Sequence, residues 1–214
     1  PAAVQAAGTV NTTNAAMSLG DSNTALTLTA DLALHTAGGS LTLGGSVNGS
    51  TANTESLSLN AGTTGAVSVT GAVGQTTSLK TLTLTNSNGA TFNSAVTTGT
   101  SVVLSDTVAG QTIRFADNLS TPVLTTTANG YHLELLGTAT HVSAANTATT
   151  FLNTGNLVLG NAVGDTLTVA GGLTATAPAA VQAAGTVNTS NTSMSLGDSN
   201  TALTLTADVA LHTA

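Results

Sequence analysis

The chain contains the same segment twice. Residues 178–214 repeat residues 1–37 with four differences, so that Pro1 recurs as Pro178. The differing pairs are Thr13/Ser190, Ala15/Thr192, Ala16/Ser193 and Leu32/Val209. Near-identical repetition over a long period is typical of arrays of stacked structural units rather than of a solitary active site. We therefore expect residues 1–177 to form one full repeat unit of a tandem array and residues 178–214 to begin the next copy.

A second, shorter rhythm runs through the whole chain. Two apolar residues separated by one small or polar residue recur, and this alternation predicts strands with one buried face. The intervening residues are mostly Thr, Ser or Ala, and β-branched Thr suits the outer face of a sheet. The pairs are Leu26/Leu28, Leu32/Leu34, Leu41/Leu43, Leu57/Leu59, Val67/Val69, Leu82/Leu84, Val102/Leu104, Ile113/Phe115, Leu133/Leu135, Leu157/Leu159, Leu167/Val169, Leu203/Leu205 and Val209/Leu211.

Clusters of Gly and Asn separate these pairs and predict turns. Examples are Gly38-Gly39, Asn48-Gly49 and Gly171-Gly172, where residues that accept a positive φ are needed. Short strands that alternate with such turns along the whole sequence indicate an all-β chain. One segment is ambiguous: residues 178–185, like residues 1–8, read PAAVQAAG and fit either a single helical turn or a strand.

Composition helps to choose between two all-β architectures. Charged residues make up 5% of the chain and aromatic residues 2%, with no Trp. Tandem β-sandwich domains usually have an aromatic core anchor and charged outer strands. A right-handed β-solenoid (parallel β-helix) needs only slim aliphatic side chains, and a charge would face its counterpart one turn away at about 4.8 Å. We therefore predict a solenoid with about 20–25 residues per turn, about 7–9 turns and about 35–45 Å per period.

Charge and hydropathy exclude several classes of partner. The net charge is −7 and only Lys80 and Arg114 are positive, whereas binding a phosphate backbone needs several cationic contacts. We expect no nucleic-acid partner. No apolar run approaches the length of roughly 18 residues that predicts a transmembrane helix. The chain has no cysteine, so it cannot form a disulfide framework or a thiolate metal site.

Few residues suggest catalysis or metal binding. His132, Glu134 and His141 could in principle hold a metal ion, but they lack the tight spacing of zinc ligands. Asp106 and Asp117 could sit on neighbouring turns, as the paired carboxylates of glycosidases do. His35 and His212 occupy the same position in the two copies. We expect the chain not to be an enzyme, with no catalytic, cofactor-binding or metal site and no cofactor.

Two further patterns have simpler interpretations. Asp21, its copy Asp198, and Asp165 each follow a glycine, and we predict that they cap turns rather than bind calcium, which needs several converging oxygens. Thr-x-Thr pairs would suggest ice binding only if they recurred in register from turn to turn. Here they are scattered and are often replaced by Ser, Ala or Asn.

The stretch from residue 56 to residue 110 resembles a known class of protein. It contains Leu57-x-Leu59-x-Ala61-Gly62, Gly71-Ala72-Val73-Gly74, Ser78-Leu79, Leu82-Thr83-Leu84-Thr85, Gly89, Phe92, Val96 and Val103-x-x-x-x-Val108. This series is similar to the β-strand repeat regions of giant bacterial surface proteins, of the filamentous-haemagglutinin-like and autotransporter adhesin type. The resemblance implies a β-solenoid stalk or fibre outside a bacterial cell. It implies no functional residues, because those repeats share none.

These observations favour a structural role. We expect a rigid rod of an extracellular bacterial surface protein that extends or self-assembles into a filament, sheath or surface layer, its partners being further copies of itself. One alternative is the stalk of an adhesin that binds a host or matrix ligand through a region elsewhere in the parent protein. Another is a carbohydrate-active β-helix enzyme, which would require Asp106, Asp117 and Glu134 to cluster.

Overall fold

Short apolar strands linked by Gly- and Asn-rich turns coil into a rod. The computed structural model describes residues 3–213, in which the backbone forms a β-solenoid of about nine turns without a helix. All strand pairs between turns are parallel. This confirms the predicted solenoid and excludes tandem sandwiches.

The described chain contains 22 strands. The first eleven are β1 (Ala3–Asn11), β2 (Met17–Leu19), β3 (Ala25–His35), β4 (Leu41–Leu43), β5 (Val47–Gly49), β6 (Leu57–Asn60), β7 (Val67–Val69), β8 (Leu79–Asn86), β9 (Ala90–Phe92), β10 (Val96–Leu104) and β11 (Thr112–Phe115). The others are β12 (Leu119–Thr121), β13 (Val123–Thr126), β14 (His132–Leu135), β15 (Ala139–Val142), β16 (Thr149–Thr150), β17 (Leu157–Leu159), β18 (Thr166–Val169), β19 (Leu173–Ala175), β20 (Ala180–Asn188), β21 (Met194–Leu196) and β22 (Ala202–His212).

Each turn contributes one strand position to each of three ladders, which we call faces 1, 2 and 3. Face 1 consists of β2, β4, β7, β9, β11, β14, β17 and the first halves of β20 and β22. Face 2 consists of the first halves of β1, β3 and β10, with β5, Val73, β12, β15, β18 and the second halves of β20 and β22. Face 3 consists of the second halves of β1, β3 and β10, with β6, β8, β13, β16, β19 and β21.

The length of a turn varies along the rod. The step from Leu79 to its partner Thr98 is short, whereas the step from Ala139 to its partner Thr166 is clearly longer. Between β13 and β16 the ladder of face 3 is bridged by a side chain: the Thr126 hydroxyl accepts the Leu152 N–H at 2.7 Å and donates to the Thr150 carbonyl at 3.2 Å. The turns therefore absorb insertions at corners while the strands stay stacked.

The apolar pairs fill the interior as predicted. Every pair from Leu26/Leu28 to Leu167/Val169 is buried, and together they form one continuous core. Phe92 and Phe115 stack in this core with ring centroids 4.7 Å apart and an interplanar angle of 6°. The pairs of the second copy also lie on a strand, β22, but Leu203, Leu205 and Leu211 are exposed because no further turn covers them within the described residues.

The ambiguous PAAVQAAG segment forms a strand in both copies. Residues 3–11 and 180–188 are β1 and β20, while Pro1 and Ala2 lie outside the described residues. Gly8 and Gly185 both have φ +78, and the ladder register shifts there. A positive φ is costly for other residues, so glycine lets one long strand pass from one face to the next.

Candidate functional site

The last described turn exposes an apolar strand that the first copy buries. Leu203, Leu205 and Leu211 on β22 are 36%, 58% and 49% exposed. The equivalent side chains of β3 are 0–1% exposed: Leu26, Leu28 and Leu34. The same sequence therefore has a covered and an uncovered form within one molecule, and we call the uncovered surface of β21 and β22 the open end.

Two strands of the next turn cover β3. Its first half pairs with β5, where the Leu26 N–H donates to the Ser46 carbonyl at 2.8 Å. Its second half pairs with β6, where the Leu32 N–H donates to the Ser56 carbonyl at 2.9 Å. Within residues 3–213 no strand occupies the corresponding place above β22. The backbone N–H and C=O groups on the uncovered edge of β22 can thus pair with a further strand.

The opposite end shows the same contrast in reverse. β1 begins the first described turn, and its Val10 is 36% exposed. The equivalent Val187 of β20 is 0% exposed, because β20 lies between β17 and β18 on one side and β22 on the other. Both ends of the described rod therefore expose a strand edge. The equivalent edges are buried where the same repeat sequence lies in the interior of the rod.

The sides of the rod carry few groups that commonly recognise ligands. All four aromatic side chains are buried: Phe92, Phe115, Tyr131 and Phe151. Burial raises the pKa of Tyr131, whose hydroxyl donates to the Leu104 carbonyl at 3.2 Å and accepts the Thr127 N–H at 3.1 Å. This tyrosine is part of the core, as are Leu133 and Leu135.

Shallow grooves run along the corner between faces 2 and 3 near the start of the rod. Two adjoining grooves share Gly8 and Asp31. Ser56 donates its backbone N–H to the Asp31 carboxylate at 2.7 Å, so this acid already has a structural partner. The other lining residues are small polar and aliphatic groups, apart from Glu55.

The candidate metal ligands do not converge. His132 and Glu134 both point outward on β14 of face 1, whereas His141 lies on β15 of face 2. His132 Nδ1 accepts the Asn156 N–H at 2.7 Å, and Glu134 lies 3.5 Å from Arg114 on β11. Among the described residues, no group of three or more His, Cys, Asp or Glu side chains could hold a metal ion.

The candidate glycosidase carboxylates also occupy different parts of the surface. Asp106 lies in the turn before β11, Asp117 in the turn after it, and Glu134 on the neighbouring strand, beside Arg114. A strand thus separates the two aspartates, and the structure does not form the paired arrangement that the enzyme hypothesis required. No substrate-facing role follows from these positions.

The aspartates that follow glycines accept hydrogen bonds within turns, as predicted. Asp21 Oδ1 accepts the Asn23 N–H at 2.9 Å, and this contact is the main cause that lowers the Asp21 pKa. The copy, Asp198, accepts N–H groups from Asn200 and Thr201 at 2.8 and 2.9 Å. Asp165 Oδ2 accepts those of Asn161 and Ala162 at 2.8 and 2.9 Å. One carboxylate oxygen of each aspartate thus accepts backbone N–H groups.

One buried carboxylate was not found by sequence reasoning. Glu55 is 4% exposed, and its oxygens accept the Ser50 hydroxyl at 2.6 Å and the Thr51 N–H at 3.2 and 3.3 Å. These contacts, the Ser50 hydroxyl first, lower its pKa. A Glu following a loop of small polar residues gives no periodic signal, so only the turn geometry shows this role.

Comparisons with known proteins do not assign the chain to a family. No family model, no curated protein and no solved structure matches the chain. The solenoid implied by the resemblance of residues 56–110 is present, but no family match supports an assignment to filamentous-haemagglutinin-like or autotransporter adhesins. Among the described residues, no helix is long and apolar enough to cross a membrane.

Proposed function

We propose that this chain is a structural repeat of an extracellular bacterial surface protein. It forms a rigid β-solenoid rod that extends a larger protein, or assembles with further copies into a filament, sheath or surface layer. Its partners are other copies of the repeat, stacked end to end or side by side.

The exposed form of β22 carries this proposal. In β3 the same strand is buried by β5 and β6, so its apolar side chains and N–H groups have a known partner of known sequence. Covering a half-exposed leucine contributes about 1 kcal/mol, and several lie on this edge. The open end is therefore stabilised by any chain that supplies the next turn.

The two copies also pair within themselves in the same way. Ala3 pairs with Ala25 and Gly8 with Leu32 in the first copy, and Ala180 pairs with Ala202 and Gly185 with Val209 in the second. The register is thus the same in both copies. This supports a repeat whose strands pair in the same register each time the sequence recurs.

The cellular setting rests on the sequence resemblance and on composition. The segment from residue 56 to residue 110 is similar to the β-strand repeats of giant bacterial surface proteins. A chain with 5% charged residues also has little electrostatic repulsion to oppose contact between rods. Both features support a surface rod, and neither names the organism or the anchor.

A self-association experiment tests the proposal. The purified chain should form elongated oligomers as its concentration rises, measured by sedimentation and by electron microscopy. Leu205→Lys places an inward-pointing charge on the open edge and should reduce this association strongly. Thr204→Lys adds the same charge to the outward side of the same strand and serves as the control.

Each outcome of this experiment decides between the two forms of the proposal. Loss of association in Leu205→Lys but not in Thr204→Lys supports stacking through the open end. A wild-type chain that stays monomeric at high concentration excludes self-assembly. The role as a rod extended by covalent repeats would then remain, and hydrogen exchange at the open end of a chain lengthened by one turn tests it.

The second candidate function is the stalk of an adhesin. It is favoured by the burial of all four aromatic side chains, because a ligand-binding surface usually presents aromatic anchors. On this hypothesis the rod acts as a spacer, and a host or matrix ligand is bound elsewhere in the parent protein. A host-binding assay with this chain alone should then be negative.

A further inference from the structure

The two copies of the repeated segment begin on different faces of the rod. Val4 lies on face 2, where it pairs with Leu26, which in turn pairs with Val47. Val181, the equivalent residue of the second copy, pairs with Leu157 of β17 on face 1. An unbroken ladder joins β17 to β2 through β14, β11, β9, β7 and β4.

The other parts of the copies are displaced in the same way. Met17 on β2 belongs to face 1, whereas its equivalent Met194 on β21 pairs with Leu173 on face 3. Gly8 lies on face 3 and Gly185 on face 2. All these equivalent residues are shifted by one face in the same direction, so the displacement belongs to the whole copy.

The period explains the displacement. Between Val4 and Val181 the chain passes through twenty-three strand positions, counting Val73 as one and each half of a long strand as one. With three positions to a turn, this is seven and two-thirds turns. A period that is not a whole number of turns brings each copy back one face away from the last.

We infer that consecutive repeats of the array are rotated by one third of a turn about the rod axis. This inference rests on the proposed continuation of the repeats as one rod. At about 4.8 Å per turn, one period advances about 37 Å along the axis, and three periods restore the starting face after about 110 Å. Any surface patch of the repeat is then displayed on all three sides in succession.

This rotation determines which sides of the rod a neighbouring copy can contact through the same patch. A neighbouring copy of the rod lying alongside finds the same patch on every side, so lateral packing can proceed in three directions. Along any single side a given patch recurs only at every third repeat. A whole-turn period would instead place all equivalent patches in one line and favour one-sided, ribbon-like association.

Disulfide cross-linking within this chain tests the rotation directly, because the natural chain has no cysteine. The rotated arrangement places Val158 opposite Gln182 on face 1 and Thr168 opposite Asn188 on face 2. All four side chains are half-buried at outward positions. Neighbouring parallel strands lie about 4.8 Å apart, within the reach of a disulfide.

The decisive comparison pairs a cysteine at Gln182 with a cysteine on either of two faces. V158C/Q182C should oxidise to a disulfide and lose both titratable thiols, and T168C/N188C should do the same. T168C/Q182C should keep both thiols, because a whole-turn period is needed to place Gln182 above Thr168. S18C/T42C, a paired position on face 1 in the first copy, is the control for oxidation.

The outcomes separate this inference from the proposed function. A disulfide in T168C/Q182C overturns the rotation, as does its absence from both V158C/Q182C and T168C/N188C while S18C/T42C oxidises. Circular dichroism of each variant checks that the fold is kept. Because the measurement lies inside one chain, it stands whether or not chains assemble. Failure of assembly would affect only the proposed function.

Discussion

The strands β3 and β22 share almost one sequence and have opposite surroundings. β3 is covered on both sides, by β1 and by β5 and β6, and its leucines are buried. β22 is covered by β20 alone among the described strands, and all three of its leucines are exposed. The contrast shows that pairing with one neighbouring turn is enough for this segment to form a strand, whereas burial of its leucines depends on the next turn. On the proposed function, a further turn would cover these leucines and stabilise the strand.

The largest expected difference between the two strands is the response to losing a leucine. Leu28→Ala should lower the free energy of unfolding by about 2–5 kcal/mol, because it leaves a cavity in the core. Leu205→Ala, the equivalent change at the open end, should cost less than about 1 kcal/mol, because that side chain is 58% exposed. Urea denaturation of both variants measures the difference. Equal losses would mean that β22 is covered in solution.

The glycines at the bend where a long strand passes from one face to the next provide a second matched pair. Gly8 and Gly185 have the same φ, so an alanine costs about 1–2 kcal/mol in backbone strain at either place. A Cβ at Gly185 would also clash with the Asp165 carbonyl oxygen, whereas a Cβ at Gly8 meets nothing within 4 Å. Gly185→Ala should therefore cost about 1–3 kcal/mol more than Gly8→Ala.

Thermal unfolding of the two alanine variants tests this pair. The prediction is a clearly lower midpoint for Gly185→Ala. If both variants shift by the same amount, the second copy is not stacked against the turn that contains Asp165, and the contrast between interior and end copies fails at that point.

The smallest expected effect is that of pH on the turn that covers β3. The pKa of Glu55 is lowered below its ordinary value of 4.5 by hydrogen bonds to its charged form. Its contribution to stability is therefore complete above that value and is lost as the pH falls through the lowered pKa. Glu55→Gln should reduce the acid sensitivity of unfolding slightly, measured by urea denaturation at several pH values. An unchanged pH profile would contradict this role.

Much of the fold could be predicted because it depends on alternation. Leu57 and Leu59, with Ser58 between them, specify a strand with one buried side wherever they lie in the rod. The low charge then favours stacked turns over sandwiches. Turn aspartates such as Asp21 were also predictable, since a carboxylate after glycine caps nearby N–H groups.

The relation between the two copies could not be predicted from the sequence. The spacing between Pro1 and Pro178 does not give a number of turns, because turns differ in length, as the pairs Leu79–Thr98 and Ala139–Thr166 show. Which leucines are exposed at the open end could not be predicted for a related reason. Leu205 has the same neighbours in sequence as Leu28, and only the contact with a further turn distinguishes them.

The most direct test of continuation is to supply the next turn. Residues 38–60 of the repeat, which contain β4, β5 and β6, can be joined after Ala214, and a scrambled version serves as the control. We predict that the amides of Leu203 and Val209 then exchange with solvent as slowly as those of Leu26 and Leu32, which donate to Ser46 and Ser56. Exchange that stays fast in the extended chain would contradict a repeat that propagates by stacking on itself.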